Sequence, residues 1–261
     1  MIPVGTYVRE CGAARVEVHV SMLASVRLNE RSSAAGAITS WRDRVYLAWT
    51  GTDLCLNMAS SPDGREFVDK QRLAEHSYKQ VRKSSSGSDE STTETIALPP
   101  SVTGCGERLY LAWTGTDRAL NVLAVRPSPN ATKVTLKQRS SESPSLIASP
   151  RASLVLAWTG TDRHVNLLSM ADGWSGGPVR LPAAKTGAAP AVCSHNGSLI
   201  VAWTGSDRRV NLLTAADGWS GAPVRLEDAK TDHAPAVCSH NGSLVLAWIG
   251  TDYRLNLGYV P

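Results

Sequence analysis

Five aspartates of the 261-residue chain stand in the same local sequence: Asp53, Asp117, Asp162, Asp207 and Asp252. Each closes a heptapeptide of the form LAWTGTD, with VAWTGSD and LAWIGTD as variants. Each is followed four residues later by an asparagine: Asn57, Asn121, Asn166, Asn211 and Asn256. A carboxylate that accepts and an amide that both donates and accepts can do two kinds of work. They can meet the hydroxyls of a polar ligand in a cleft, or they can bond the backbone of the Gly-containing turn that carries them. Both readings are open from the sequence. In the first, Arg118, Arg163 and Arg208, each next to an Asp, add donors to the ligand. The candidate ligand-binding set is these five Asp, five Asn and three Arg.

Other chemistries find little support. The histidines are His19, His76, His164, His195, His233 and His240, with no HxH or HExxH spacing, so neither a metal nor another cofactor is expected. His195 and His240 share an SHNG turn. The cysteines, Cys11, Cys55, Cys105, Cys193 and Cys238, are odd in number and form no CxxC pair. They read as small buried apolar residues rather than as a disulfide frame. The GxSxG turn of a serine nucleophile is missing.

The elements that position the candidates follow from the spacing of the tryptophans inside the motif. Trp49, Trp113, Trp158, Trp203 and Trp248 are separated by 64, 45, 45 and 45 residues. Within one repeat, PAVC, SLIVAW, VNLL and PVRL are short strand-like runs separated by Gly-bearing turns. Four short strands every 45 residues is the period of a propeller blade. The expected fold is all-β: a closed five-bladed β-propeller of four-stranded blades, filling residues 1–261 as one domain. The last repeat stops before its fourth strand. Val26-Arg27-Leu28 matches Val179-Arg180-Leu181 and Val224-Arg225-Leu226, so the N-terminal strand is expected to complete the last blade. The long first spacing places a 19-residue insertion at about 78–96. Its Ser/Thr-rich, charged composition predicts a flexible loop. The motif Trp is expected between blades. Trp41, Trp174 and Trp219 sit in turns, where they could stack on a sugar face or cap a blade edge.

Composition narrows the partners. Hydrophobic residues at 42% and charged residues at 19% allow a substantial core. No run of 18 apolar residues exists, so no membrane span is expected. The start, MIPVGTYVREC, has no signal-peptide pattern, which points to a cytoplasmic protein or one released without such a signal. A net charge of +4, spread along the chain, is not the concentrated footprint of a nucleic-acid binder.

The tandem AWTGTDxxxN motif with DGW turns resembles the bacterial propeller repeats of lectin-like modules, and the blade count and length are similar to the five-bladed tachylectin type. SPDGREF at 61–67 resembles the Asp-box of sialidase-type propellers with one residue missing. The resemblance implies a multivalent carbohydrate-binding module with glycans or glycoconjugates as partners and sites between blades. Propellers also serve as protein-interaction scaffolds and as glycoside hydrolases. A hydrolase needs two carboxylates at one bond. The inner strands expected at 37–40, 101–103, 145–148, 191–193 and 236–238 carry none, which leaves loop carboxylates such as Asp43, Glu107 and Asp232 for that role.

Overall fold

The computed structural model describes residues 28–84, 91–126, 132–149, 153–170, 173–215, 219 and 221–260. The described elements are all strands, set in five antiparallel meanders that form the blades of a propeller. Blade one is β1 (Ala37–Trp41), β2 (Arg44–Thr50), β3 (Cys55–Ser61) and β4 (Val68–His76). Blade two is β7 (Ser101–Cys105), β8 (Arg108–Thr114), β9 (Ala119–Arg126) and β10 (Lys133–Arg139). Blade three is β11 (Ser145–Ala148), β12 (Leu154–Thr159), β13 (His164–Ser169) and β14 (Val179–Lys185). Blade four is β15 (Ala191–His195), β16 (Ser198–Thr204), β17 (Arg209–Thr214) and β18 (Val224–Lys230). Blade five shows β19 (Ala236–His240), β20 (Ser243–Ile249) and β21 (Leu255–Val260). The first strands lie innermost: β1 is beside β7, β7 beside β11, β11 beside β15 and β15 beside β19.

The register within each blade is the same. The motif Trp on the second strand faces the motif Asn on the third: Trp49 opposite Asn57, Trp113 opposite Asn121, Trp158 opposite Asn166, Trp203 opposite Asn211 and Trp248 opposite Asn256. Because side chains alternate along a strand, fixing one pair fixes which face of every strand points at the neighbouring blade. Trp113 then packs with Leu56 and Met58 of the preceding blade, Trp158 with Leu120 and Val122, and Trp203 with Val165 and Leu167. These indoles are buried, as expected for wedge fillers. Trp174 is buried too, in the core between blades two and three, so it caps rather than offers a free stacking surface.

Blades are also tied by a repeated hydroxyl. The Thr before each motif Gly donates through Oγ1 to a carbonyl on the lead-in to the next blade. These bonds run from Thr50 to Leu98 at 2.7 Å, Thr114 to Glu142 at 2.7 Å, Thr159 to Ala188 at 2.6 Å and Thr204 to His233 at 2.6 Å. In blade five this position is Ile249, which has no hydroxyl to donate.

The junction of the last blade with the first differs in packing as well. Ile38 of β1 is 66% exposed, whereas Val102, Leu146 and Val192, at the same register position, are buried. Leu257 is 56% exposed, although its counterparts Leu167 and Leu212 are buried. The strand expected to complete blade five rests on Val26 and Arg27, which lie outside the described residues.

The insertion after blade one differs from expectation. Where a flexible loop is predicted, β5 (Tyr78–Ser84) and β6 (Ser91–Ala97) pair as an antiparallel hairpin. Its ladder runs without a shift from Tyr78 opposite Ala97 to Ser84 opposite Ser91. Threonines at 92, 93 and 95 have the branched side chains that strands favour, and the backbone bonds need no apolar face. Lys79 further ties the hairpin to Glu142 of the blade-two-to-three connection at 2.6 Å.

Two stability outcomes are expected. Thr204→Val removes a buried hydroxyl bond at an otherwise unchanged site. It should cost about 1 kcal/mol and lower Tm by about 2–4 °C in a thermal melt. Deleting residues 1–28, which carry the segment expected to complete blade five, should lower Tm by about 5 °C or more, because β21 would be left as an open sheet edge. An unchanged melt would remove the N-terminal segment from the closure of the ring.

Candidate functional site

Each motif builds one three-residue hairpin turn. In blade one the Gly51 N–H donates to the Cys55 carbonyl at 2.8 Å and the Leu54 N–H to the Gly51 carbonyl at 2.9 Å. The residue after the Asp takes a positive φ: Leu54, Arg118, Arg163, Arg208 and Tyr253 lie between 62° and 67°. This is a tight turn followed by a left-handed residue, and it matches the twist of the flanking strands. The Asp Oδ1 accepts the N–H two residues on, at 3.1, 2.9, 3.2, 3.2 and 3.1 Å in blades one to five. The Asn Nδ2 donates to the carbonyl of that same residue at 2.8–3.0 Å in every blade. The glycine is required by space: a Cβ on Gly160 would stand 2.7 Å from Asp162 Oδ1 and 2.8 Å from Asn166 Nδ2. The motif is therefore turn chemistry in all five blades.

One oxygen of each Asp remains, and the fourth strand decides its use. In blades one, three and four an arginine on that strand stands opposite the motif Asn: Arg72, Arg180 and Arg225. Its Nε reaches the Asp Oδ2 at 2.9, 2.8 and 3.1 Å, respectively. These pairs hold the Asp53 and Asp162 carboxyls below the ordinary carboxylate range, with the arginine as the leading cause. In blade two the same register position is Thr135, whose hydroxyl bonds Asn121 Oδ1 at 2.8 Å. Among the described residues no arginine reaches the Asp117 carboxylate.

A cavity of about 260 Å³ opens beside that exchange. It lies between blades one and two, lined by Glu75 and His76 of β4, Trp113 of β8, Asp117 and Asn121 of the turn, and Lys133 and Thr135 of β10. Lys133 Nζ pairs with Glu75 at 2.6 Å and sits 5.4 Å above the Trp113 ring. The first blade has the same group: Lys70 pairs with Glu30 and lies 5.9 Å over Trp49. Sequence reasoning found the Trp and the Asp but missed Glu30, Lys70, Glu75, Lys133 and Thr135. A signal was present: the fourth strand reads Val134-Thr135-Leu136 where blades three and four read Val-Arg-Leu.

The remaining candidate residues separate cleanly. Arg118, Arg163 and Arg208 are exposed on the turn face, and Arg208 pairs with Asp232. Glu107 is held by Arg42. In the segment Ser61–Phe67 the Asp63 carboxylate accepts the N–H groups of Arg65 and Glu66 at 2.9 and 3.1 Å, so it too serves a turn. His195 Nε2 faces the Asn196 amide nitrogen at 3.1 Å, and Nδ1 faces Ser239 Oγ at 2.9 Å. With Asn196 donating, Nδ1 carries the proton and donates to Ser239, the opposite of activating a serine. Burial pushes the Cys193 thiol up to about 11, so it stays protonated near neutrality. Among the described residues no cluster of three His, Cys, Asp or Glu could hold a metal ion.

The arginine pairs set a pH dependence. Asp53 and Asp162 have folded values below the unfolded one, so their stabilisation is complete above about 4 and is lost as the pH falls through the lower folded values. Tm should therefore decline as the pH falls below about 4. The decline should be shallower in Arg180→Ala, where the main cause of the Asp162 shift is removed.

No protein-family model matches the chain, and no curated protein matches it in sequence. Solved structures do share its shape. AofleA from Arthrobotrys oligospora is 12% identical at a TM-score of 0.63, over 90% of this chain and 72% of its own. The six-bladed fucose-recognising lectin of Aleuria aurantia is 13% identical at 0.58, over 86% of this chain and 73% of its own. A GH43_1 enzyme from Xanthomonas citri is 10% identical at 0.50, over 89% and 88%. At such identities the likeness is one of fold: the chain is a β-propeller built like those found in both lectins and glycoside hydrolases.

Proposed function

We propose that this propeller is a carbohydrate-binding, lectin-like module with related sites in the clefts between neighbouring blades. The observation that carries the reading is the repeated Trp–Lys–Glu group, Trp49 with Lys70 and Glu30, then Trp113 with Lys133 and Glu75. Over each buried indole the paired ammonium and carboxylate set a donor beside an acceptor, which is what the hydroxyls of a sugar ring need. Two copies at successive blades suit multivalent capture, where each weak contact gains from its neighbour. The fucose-specific lectin from Aleuria aurantia, a propeller of related shape, supports the same class of ligand.

Hydrolysis is the weaker reading. The inner strands lack acidic residues, and Asp53, Asp63 and Asp162 are shifted down in pKa, the wrong direction for a general acid. Proteins docking on the turn face are the other alternative.

A glycan array probed with the intact protein tests the proposal. Binding to clustered glycans is expected, with single-site affinity of about 1 mM for a monosaccharide and a large gain on multivalent display. Lys133→Ala should weaken that binding at unchanged fold. A blank array overturns the reading. Turnover of a chromogenic glycoside lost on a single carboxylate substitution would replace it with the hydrolase.

A further inference from the structure

We infer that the cleft between blades one and two takes a sugar bearing a free amine, a hexosamine, with its ammonium on Asp117. The inference rests on the carbohydrate-binding reading and deepens it by naming the ligand class of one site.

The starting point is a cation that the repeat supplies elsewhere and omits here. Arg72, Arg180 and Arg225 each place Nε against the second oxygen of a motif Asp. Thr135 replaces that arginine in blade two, and its short side chain turns away to Asn121 Oδ1. Asp117 keeps its first oxygen on the Ala119 N–H at 2.9 Å, so its carboxylate is held in place with one acceptor free for a ligand. The exchange removes both the volume and the charge of a guanidinium, and the cavity lies at that place.

The charge count points the same way. Glu75 and Lys133 neutralise each other, and the Arg139 guanidinium bonds the main-chain carbonyl of Asp117 rather than its carboxylate, which leaves that carboxylate without an ion-pair partner among the described residues. A ligand ammonium there restores the pairing that three other blades make internally. A carboxylate accepting from a charged donor forms the stronger class of hydrogen bond.

The rest of the lining selects a sugar over an aliphatic amine. Asp117 is joined by the Thr116 and Thr135 hydroxyls, the Asn121 amide, the His76 ring and the Glu75–Lys133 pair. Trp113 lies beneath Lys133 and is fully buried. A lysine side chain would lay four methylenes along these polar groups without apolar contact, whereas ring hydroxyls would bond them. At about 260 Å³ the cavity is just under the range of about 300–1,000 Å³ used by drug-sized ligands, which fits one monosaccharide.

Calorimetric or NMR titration of the intact protein with glucosamine, N-acetylglucosamine and glucose, at a pH where the amine is protonated, tests the inference. Glucosamine should bind about tenfold or more tightly than the two neutral sugars, the margin expected of a charge-assisted bond. Asp117→Asn should abolish that preference while keeping the turn bond to Ala119. Thr135→Arg should abolish glucosamine binding by rebuilding the internal pair, with Tm unchanged or raised, which separates loss of the site from loss of the fold. Equal affinity for the three sugars, or full glucosamine binding by Thr135→Arg, overturns the amine assignment while leaving glycan binding intact. A lysine amide competing as well as glucosamine overturns the sugar assignment in favour of a peptide amine. No binding by these sugars together with a blank glycan array sinks the parent reading as well.

Discussion

The structure depends on one carboxylate–backbone contact repeated five times. When the motif Asp accepts the N–H two residues on, it locks the turn joining the second and third strands, and the Asn closes the same turn from the other side. That lock sets the register, the register sets which face carries the Trp, and the Trp fills the wedge against the preceding blade. The left-handed residue after the Asp then presents its carbonyl to the end of the fourth strand. Ser77, Ser140, Thr186 and Thr231 donate to Leu54, Arg118, Arg163 and Arg208 in this way, at 2.8–3.2 Å. A short polar interaction thus governs strand pairing, blade packing and blade closure together. This explains why its residues repeat more strictly than the apolar ones around them.

Function on such a frame arises where the repeat relaxes. The motif residues are occupied by their own turns, so a site needs a position the turn does not use. The fourth strand provides it, since its side chains meet the turn from outside without being needed for register. Arg72, Arg180 and Arg225 fill the space, and Thr135 leaves it open. The strand nearest the rim is the one free to vary, and the variable position lies next to an invariant carboxylate.

Much of this was legible in the sequence, and for a physical reason. A 45-residue period of Trp, Gly, Asp and Asn reports directly on packing and turn geometry, so blade number, the four strands and the inner segments follow from it. The expected inner strands at 101–103 and 191–193 fall within β7 and β15. The hairpin at 78–97 was not legible because its strands are polar and bury no face. Composition then points to a loop, while backbone pairing and threonine branching favour strands. Trp174 read as a surface residue because its DGWS turn is polar, yet the chain folds the indole back into a core. The cleft was hidden because its signal is a residue missing from a pattern: Thr135 is unremarkable until it is aligned with three arginines.

Ile249 carries a consequence for how the molecule comes apart. Four junctions share the threonine hydroxyl bond, and in three of them the motif Trp is buried while Trp248 in the fourth is partly buried. In a chain of like units held by nearest-neighbour contacts, loss of order spreads from the weakest junction. The fifth junction has an isoleucine in place of the hydroxyl and leaves Ile38 and Leu257 open to water. Fraying should start at the seam between blades five and one and travel inward, with amide exchange slowest in blade three, farthest from it. A ring with one weak seam can loosen at its margin while its central blade stays ordered.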